Sequence, residues 1–283
     1  MAHQLENTPP DRRRLIQELS RALSEIPQVE AVALGGSSMT GQADAASDID
    51  LYVYASEPVP LAPRLALATQ RASIHEVGND FMELGDEWDD RETGIHVDIT
   101  YRDFAGSHAG LKRVLERCEA SIGYTTCIWH NIGISEPLFD RSGLFAALQQ
   151  EARRPYPREL AIAIIARNRP ILRDAYVSFG GQILKAAQRE DWVSINHRVA
   201  AFLASYFDIL FAANAEPHPG EKRLLRFAAA LPKTPADMQE DVEALLLARA
   251  PADLSRRIDA LTDKLDALLG QLELSPAPHG SGR

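Results

Sequence analysis

Three aspartates stand at positions where their carboxylates are expected to share one strand face. Asp48 and Asp50 belong to residues 47–54, Ser-Asp-Ile-Asp-Leu-Tyr-Val-Tyr, whose alternating apolar side chains predict a strand. Side chains alternate between the faces of a strand, so these two aspartates point the same way while the residues between them face a core. Asp98 takes the polar face of a second alternating segment, residues 93–101. Aspartate is depleted in strands, and three such residues on two strands therefore indicate a cation site.

A turn of small residues precedes the aspartate pair. Residues 33–41 read Ala-Leu-Gly-Gly-Ser-Ser-Met-Thr-Gly and follow a predicted strand at residues 29–34. Glycines and serines let backbone N–H groups approach an anion without obstruction from side chains, which is the requirement for a phosphate cradle. Magnesium binds through one or two carboxylates together with substrate phosphates. The turn and the aspartates together predict a site for a metal-bound phosphate ester.

The combination of Gly36-Ser37, Asp48-x-Asp50 and Asp98 resembles the signature of the DNA polymerase β-like nucleotidyltransferase superfamily. The resemblance covers roughly the first half of the chain. It implies transfer of a nucleoside monophosphate, with AMP as the first choice, from a nucleoside triphosphate to a hydroxyl, releasing pyrophosphate. In this scheme Asp48 and Asp50 hold two Mg²⁺ ions, with Mn²⁺ as an alternative. Asp98 shares one of these ions and assists deprotonation of the acceptor hydroxyl.

The same resemblance assigns the phosphate contacts to the turn. Gly36 and Ser37 are expected to hold the β- and γ-phosphates, and Ser38 and Ser47 to bind the nucleotide beside them. Taken singly, an aspartate in this chain is more simply explained as a loop cap or a solvated strand residue, and the three-part pattern outweighs that explanation. A metal-dependent glycosyltransferase also uses Asp-x-Asp, but it explains neither the Gly-Ser turn nor Asp98.

The hydrophobic pattern predicts an α/β (α+β) domain with a small mixed sheet, followed by an all-α helical bundle. We expect a catalytic domain at residues 1–150, a helical domain at 151–274 and a disordered tail at 275–283. The family resemblance implies that the helical domain closes over the nucleotide and contacts the acceptor. Predicted strands lie at residues 29–34, 48–54, 74–77, 81–84, 95–101 and 138–140. Predicted helices lie at residues 11–26, 64–71, 105–116, 158–179, 192–213, 237–248 and 253–272, with a kink or break at Pro170 and a break at Gly180-Gly181.

This domain order resembles that of the antibiotic-modifying nucleotidyltransferases, which makes a small-molecule hydroxyl the first expected acceptor. A tRNA or a protein acceptor is the alternative within the same chemistry. A non-catalytic, antitoxin-like regulatory module on the same fold is the alternative outside it, and intact Asp48, Asp50 and Asp98 argue against that module. Base preference and oligomeric state have no signature in the sequence.

A basic pair in the second half is the candidate partner of the triphosphate. Asn214, His218, Lys222 and Arg223 cluster in a loop after a long apolar helix, and the basic pair opens the next predicted helix. Cations at a helix start oppose the macrodipole, which indicates either an expected anion or solvated side chains. We expect Lys222 and Arg223 to bind the nucleotide.

Charge and composition limit the partners. Residues 1–150 carry 12 Lys and Arg against 23 Asp and Glu, a net charge of −11, and the remaining residues carry 18 against 17. Without an overall basic balance, nucleic acid is a less favoured partner. The acidic run from Asp80 to Glu92 is expected to be a solvated loop, or to attract a cationic acceptor if it lines a cleft. The chain lacks a predicted membrane span or signal peptide, so we expect a cytoplasmic protein, with Cys118 and Cys127 as buried free thiols.

Overall fold

The computed structural model describes residues 8–36 and 48–274, which divide into two compact units. The first unit comprises Met1–Leu111 and Asn131–Arg154, and the second comprises Lys112–His130 and Pro155–Arg283. The return to the second unit at Pro155 lies near the expected domain boundary at residue 150. Residues 112–130, however, group with the helical unit although they were expected in the catalytic domain. The tail at 275–283 lies outside the described residues.

A six-stranded mixed sheet forms the first unit, in the order β3-β4-β5-β2-β1-β6. The central pair β2 and β5 is parallel, and every other neighbouring pair is antiparallel. With the helices of the second unit, this confirms the predicted fold class. The strands are β1 Val29–Leu34, β2 Ile49–Ala55, β3 His75–Asn79, β4 Gly85–Asp89, β5 His96–Asp103 and β6 Glu136–Asp140.

The two faces of this sheet differ in polarity because residues alternate along each strand. Ile49, Leu51 and Val53 of β2 are buried in an apolar cluster with the inner stripe of the helix α1, Pro10–Ser24. The helix α2, Leu61–Arg71, contributes Ala68 to the same cluster. The opposite face carries the polar residues of β2 and β5.

The helix α5, Leu144–Ala152, packs against β1 and β6. Its Phe145 ring lies 4.7 Å, centroid to centroid, from the ring of Tyr54 on the polar face of β2. The carboxyl end of β2 is therefore covered on this face, where Tyr54 is fully buried. Asp50 lies four residues earlier and remains partly exposed.

The acidic segment is the place where the predicted strands were wrong. Residues 81–84 form a bend, and the strand begins only at Gly85. Asp86 is buried inside this strand, where it accepts hydrogen bonds from Arg64 Nε at 3.0 Å and Nη2 at 2.5 Å, and from Gly78 N–H at 2.8 Å. A buried carboxylate is tolerated when it is paired and hydrogen-bonded in this way. The expectation of a solvated acidic loop was therefore wrong for residues 85–89.

The second unit is built on a helical core, and its principal helices follow the predicted stripes. The described helices of this unit include α6 Arg158–Leu172, α7 Phe179–Gln188, α8 Trp192–Ala213, α9 Leu224–Ala229, α10 Met238–Leu247 and α11 Pro251–Gln271. The remaining described helices of the chain are α3 Phe104–Leu115 and α4 Cys127–Ile134. In the part of the chain that the structure describes, no helix has the length and apolarity needed to cross a membrane.

Two details of the helical unit differ from expectation. The Gly180-Gly181 pair lies inside α7, and a side chain at Gly180 would meet the Leu172 carbonyl oxygen at 2.9 Å. Gly180 allows α7 to pack closely against the end of α6. The glycine pair does not interrupt a helix, because both residues lie within α7. Pro170 lies within α6, and the helix predicted at residues 158–179 ends two residues later at Leu172, so the break predicted near this proline is confirmed. Both cysteines are free, as predicted, but they are half-buried.

Candidate active site

Asp50 and Asp98 are direct neighbours on the parallel strands β2 and β5, where they stand opposite each other in register. In-register residues of adjacent strands point to the same face and lie about 5 Å apart across the ladder. The flanking pairs, Ile49 with Val97 and Leu51 with Ile99, are buried on the other face. The two carboxylates therefore stand side by side on the polar face, as their alternation in the sequence predicted.

Asp48 immediately precedes β2 and is exposed. It is two residues from Asp50, and its negative charge acts on the imidazole of His96, which is two residues before Asp98 on β5. Asp48 is thus next to the aspartate pair, one pleat toward the strand entry. Among residues 8–36 and 48–274, no group of three or more His, Cys, Asp or Glu side chains has the arrangement of a ready metal site.

The turn after β1 lies directly against Asp50. Gly35 N–H donates a hydrogen bond of 2.9 Å to the Asp50 carbonyl oxygen. A Cβ atom at Gly36 would lie 1.7 Å from Asp50 Oδ2, and the residue adopts φ +63°. Both facts require glycine at this position, because a side chain would collide with the carboxylate and strain the backbone. The backbone of Gly36 therefore lies against the carboxylate of Asp50.

A row of carboxylates extends from this pair across the sheet. Glu87 on β4 stands opposite Asp98, and Glu76 on β3 stands opposite Glu87. With Asp50 the row spans four neighbouring strands, and the Asn79 amide donates to Glu87 Oε1 at 3.2 Å. Like charges directly opposite each other are destabilising, so a cation that neutralises the row is favoured. The place of Glu87 in this row was missed at the sequence level, because only the strand register aligns it with Asp98.

His96 contributes a second polar group on this face. Its Nδ1 atom lies 2.9 Å from Asp89 Oδ1. Burial alone would lower the pKa of His96, but the hydrogen bond to Asp89 and the nearby carboxylates, including Asp48 and Glu87, outweigh burial and raise it. The imidazole is consequently more easily protonated beside the carboxylates than in free solution.

Arg12 reaches the strand entry from α1 and is a contact that the sequence reading missed. Its side chain is buried, and Nη2 donates to the Asp48 carbonyl oxygen at 2.5 Å. Arg12 stands three residues before Leu15 and four before Ile16, so it extends the buried stripe of the helix. An arginine on an apolar stripe was the available signal, because such a charge requires a polar partner in the interior.

The residues present fit a hard divalent cation. Asp50 and Asp98 stand in register and would offer two carboxylates, which suffices for magnesium because this ion characteristically takes its other ligands from water and substrate phosphates. The expected phosphate contacts at Ser37, Ser38 and Ser47 lie outside the described residues.

The candidate nucleotide-binding loop of the second unit divides into structural and exposed residues. His218 is fully buried, its N–H donates to Thr126 Oγ1 at 2.7 Å, and its Nδ1 accepts from Gly220 N–H at 3.0 Å. Burial lowers its pKa to about 4. Lys222 and Arg223 are exposed and precede the short helix α9. His218 therefore anchors the loop, and the two cations are accessible to a ligand.

Asn214, the other residue of that cluster, also has a structural role. Its amide nitrogen donates to the Leu210 and Lys233 carbonyl oxygens, each at 2.8 Å, and its amide oxygen accepts from Lys233 N–H at 3.0 Å. These bonds close the end of α8 against the segment around Lys233. Nothing in this arrangement points the Asn214 side chain toward an incoming ligand.

Comparison with known proteins gives one family match, most of which lies in the first unit. Residues 16–120 match the family model described as a nucleotidyltransferase domain, and this range contains Gly36 and all three aspartates. No curated protein matches the chain.

Two solved structures resemble the chain at low identity. One is a nucleotidyltransferase-like protein from Exiguobacterium sibiricum, 13% identical, covering 90% of this chain and 75% of that chain with a TM-score of 0.43. The other is the Thermotoga maritima CCA-adding enzyme complexed with tRNA, 11% identical, covering 96% of this chain and 84% of that chain with a TM-score of 0.31. With TM-scores below 0.5, these two likenesses support no further conclusion.

Proposed function

We propose that this protein transfers a nucleoside monophosphate, AMP first, to a hydroxyl of a small molecule, because residues 16–120 match the nucleotidyltransferase domain model and the aspartate pattern resembles that of the polymerase β-like superfamily. The observation that carries the proposal is the in-register pair Asp50 and Asp98, with the Gly35-Gly36 backbone against Asp50. Nucleotidyltransferases use nucleoside triphosphates and generally require a divalent metal. Here the proposed metal is Mg²⁺, as two ions, with Mn²⁺ as an alternative.

The proposed roles are those that the family resemblance implies for these positions. Asp48, Asp50 and Asp98 would hold the metal that accompanies the triphosphate. When bound, the metal supplies charge neutralisation for the triphosphate and the developing alkoxide. Asp98 receives the proton of the acceptor hydroxyl. The acceptor oxygen then forms a bond to the α-phosphorus, and the bond from that phosphorus to pyrophosphate breaks.

Phosphate binding is assigned to the turn and to the second unit. Gly36 offers backbone to the β- and γ-phosphates, and Ser37, Ser38 and Ser47 are proposed to complete that contact. Lys222 and Arg223 are proposed to supply the positive charge, since residues 1–150 carry a net charge of −11. The carboxylate row of Glu87 and Glu76 is consistent with an acceptor that carries a cationic group.

The test is incubation of the purified protein with each labelled nucleoside triphosphate, Mg²⁺ and a cell extract, followed by identification of the labelled product. A labelled small molecule, accompanied by pyrophosphate release and absent with Asp98→Asn, supports the proposal. Label in tRNA or in a protein would keep the chemistry and change the acceptor. No labelling under any metal, together with a stoichiometric protein partner in pull-down, would instead identify a regulatory module.

A further inference from the structure

Arg12 lies on the buried face of α1, where an apolar residue is expected. The buried stripe of α1 continues through Leu15, Ile16 and Leu19, and all three are buried in the sheet core. Arg12 begins that stripe with a side chain of only 6% exposure. Burying an arginine costs desolvation and side-chain entropy, whereas a leucine or methionine would extend the apolar contact. A specific polar interaction must therefore account for the arginine.

One polar interaction of Arg12 lies at the entry to β2. Arg12 Nη2 donates to the Asp48 carbonyl oxygen at 2.5 Å, joining residues 36 positions apart in the chain. The paired ladder between β2 and β5 begins at the next residue, Ile49. Asp48 is thus outside the sheet pairing that fixes Asp50, and the guanidinium holds its backbone from the helix side. A charge-assisted hydrogen bond is the stronger class of such contacts.

We infer that Arg12 is a positioning residue for Asp48, and this inference rests on the proposed function. A peptide group held at its carbonyl has a restricted orientation, and the Cα–Cβ direction of the same residue is restricted with it. Arg12 thereby keeps the Asp48 carboxylate on the side of Asp50 and Asp98, where a metal-bound triphosphate requires it. A metal site tolerates little displacement of its ligands, so loss of this contact lowers metal–nucleotide affinity in protein that is still folded.

The experiment compares Arg12→Met, which extends the apolar stripe, with Arg14→Met as the matched control. Arg14 lies on the same helix, is more than half exposed, and forms long ion pairs among the described residues, at 3.8 Å with Asp11 and 3.7 Å with Glu92. The probe is Mn²⁺ with ATP, titrated by isothermal calorimetry at a temperature where circular dichroism shows each variant to be folded. We expect Arg12→Met to raise the dissociation constant at least tenfold and Arg14→Met to change it less than twofold.

A conservative variant separates positioning from a general structural role. Arg12→Lys keeps the charge and a donor, and its dissociation constant is expected between those of the wild type and Arg12→Met. If Arg12→Met does not fold, Arg12→Gln replaces it under the same criterion. The inference is overturned if folded Arg12→Met, or its replacement, binds Mn²⁺ and ATP as tightly as Arg14→Met does. That result would leave the proposed function standing. A wild-type protein that does not bind Mn²⁺ with ATP would overturn the proposed function and this inference with it.

Discussion

Substitution of Gly36 by alanine tests the geometry of the proposed site most directly. Two separate effects act on this variant. Gly36 adopts φ +63°, a conformation that costs a residue with a side chain about 1–2 kcal/mol. In addition, the new Cβ would lie 1.7 Å from Asp50 Oδ2, far inside van der Waals contact, so the carboxylate must move by more than about 1 Å. The first effect lowers stability, and the second displaces a proposed metal ligand.

The two effects can be separated with Gly94→Ala. Gly94 has φ +69°, and a Cβ atom added there would meet none of the described residues within 4 Å, so this variant carries the backbone strain without the collision. We expect Gly94→Ala to lose about 1–2 kcal/mol in the free energy of unfolding, and Gly36→Ala to lose more because the collision adds to the same strain. Displacement of a positioned group by about 1 Å can cost two orders of magnitude in function, so Gly36→Ala is expected to weaken Mn²⁺–ATP binding up to about 100-fold. Gly94→Ala should bind as the wild type does.

Calorimetric titration with Mn²⁺ and ATP, together with urea unfolding of each variant, measures both quantities. A double variant, Gly36→Ala with Asp50→Ala, removes the colliding carboxylate. It should therefore be more stable than the sum of the single changes predicts, by about 0.5–3 kcal/mol. Equal metal–nucleotide affinity in Gly36→Ala and Gly94→Ala would refute the reasoning, because it would mean that the Asp50 carboxylate either does not move or does not bind the metal.

Three further predictions address the carboxylates and the second unit. Asp50→Asn should abolish metal-dependent triphosphate binding. The melting temperature should stay unchanged or rise slightly, because the substitution relieves repulsion with Asp98. Unchanged Mg²⁺–ATP affinity in this variant would show that Asp50 is not a metal ligand. Lys222→Ala should weaken nucleotide binding by about 1–3 kcal/mol with little change in stability. Unaltered nucleotide affinity in the Lys222→Ala, Arg223→Ala double variant would show that the two side chains are solvated and do not bind the nucleotide. Burial raises the pKa of Asp208 to about 6, so its protonated form is favoured in the folded state, and its contribution to stability falls as pH rises from about 4 to 6. The stability of Asp208→Asn relative to the wild type should therefore increase by about 3 kcal/mol across that interval. Urea unfolding of both proteins at several pH values measures this, and a difference in midpoint that does not change with pH would contradict the prediction.

Much of the local structure was readable from the sequence because strand and helix periods are local properties. The alternation in residues 47–54 and 93–101 placed Asp50 and Asp98 on polar strand faces, and β2 and β5 carry them there. The helix α8 has the predicted bounds, Trp192–Ala213, because its apolar stripe is long and uninterrupted. Shorter or polar segments gave weaker signals. The strand Gly85–Asp89 was placed too early, since Asp86 is buried through its pairing with Arg64, which no period reveals.

The hydrogen bonds that place residues 112–130 in the helical unit join residues far apart in the chain, and local sequence patterns do not reveal such contacts. Thr125 donates to Asp208 through its N–H at 3.0 Å and its hydroxyl at 2.6 Å, and Gly123 N–H donates to Asn168 Oδ1 at 3.0 Å. Each of these contacts joins residues at least 45 positions apart. The segment therefore takes its place from partners on α6 and α8, and its own composition does not distinguish it from the first unit.

The sequence by itself determined which residue types carry the chemistry and, through the two-residue period of a strand, which face they occupy. Only the tertiary structure decided that Asp50 stands opposite Asp98, that Glu87 continues the row, and that Arg12 holds the Asp48 carbonyl. Strand register and helix placement arise from the packing of an entire core, in which contacts between distant residues are satisfied together. Sequence and structure each explain part of the role of Gly36. Its residue type suggested an open turn, and the fold showed that the Asp50 carboxylate leaves no room for a side chain at this position.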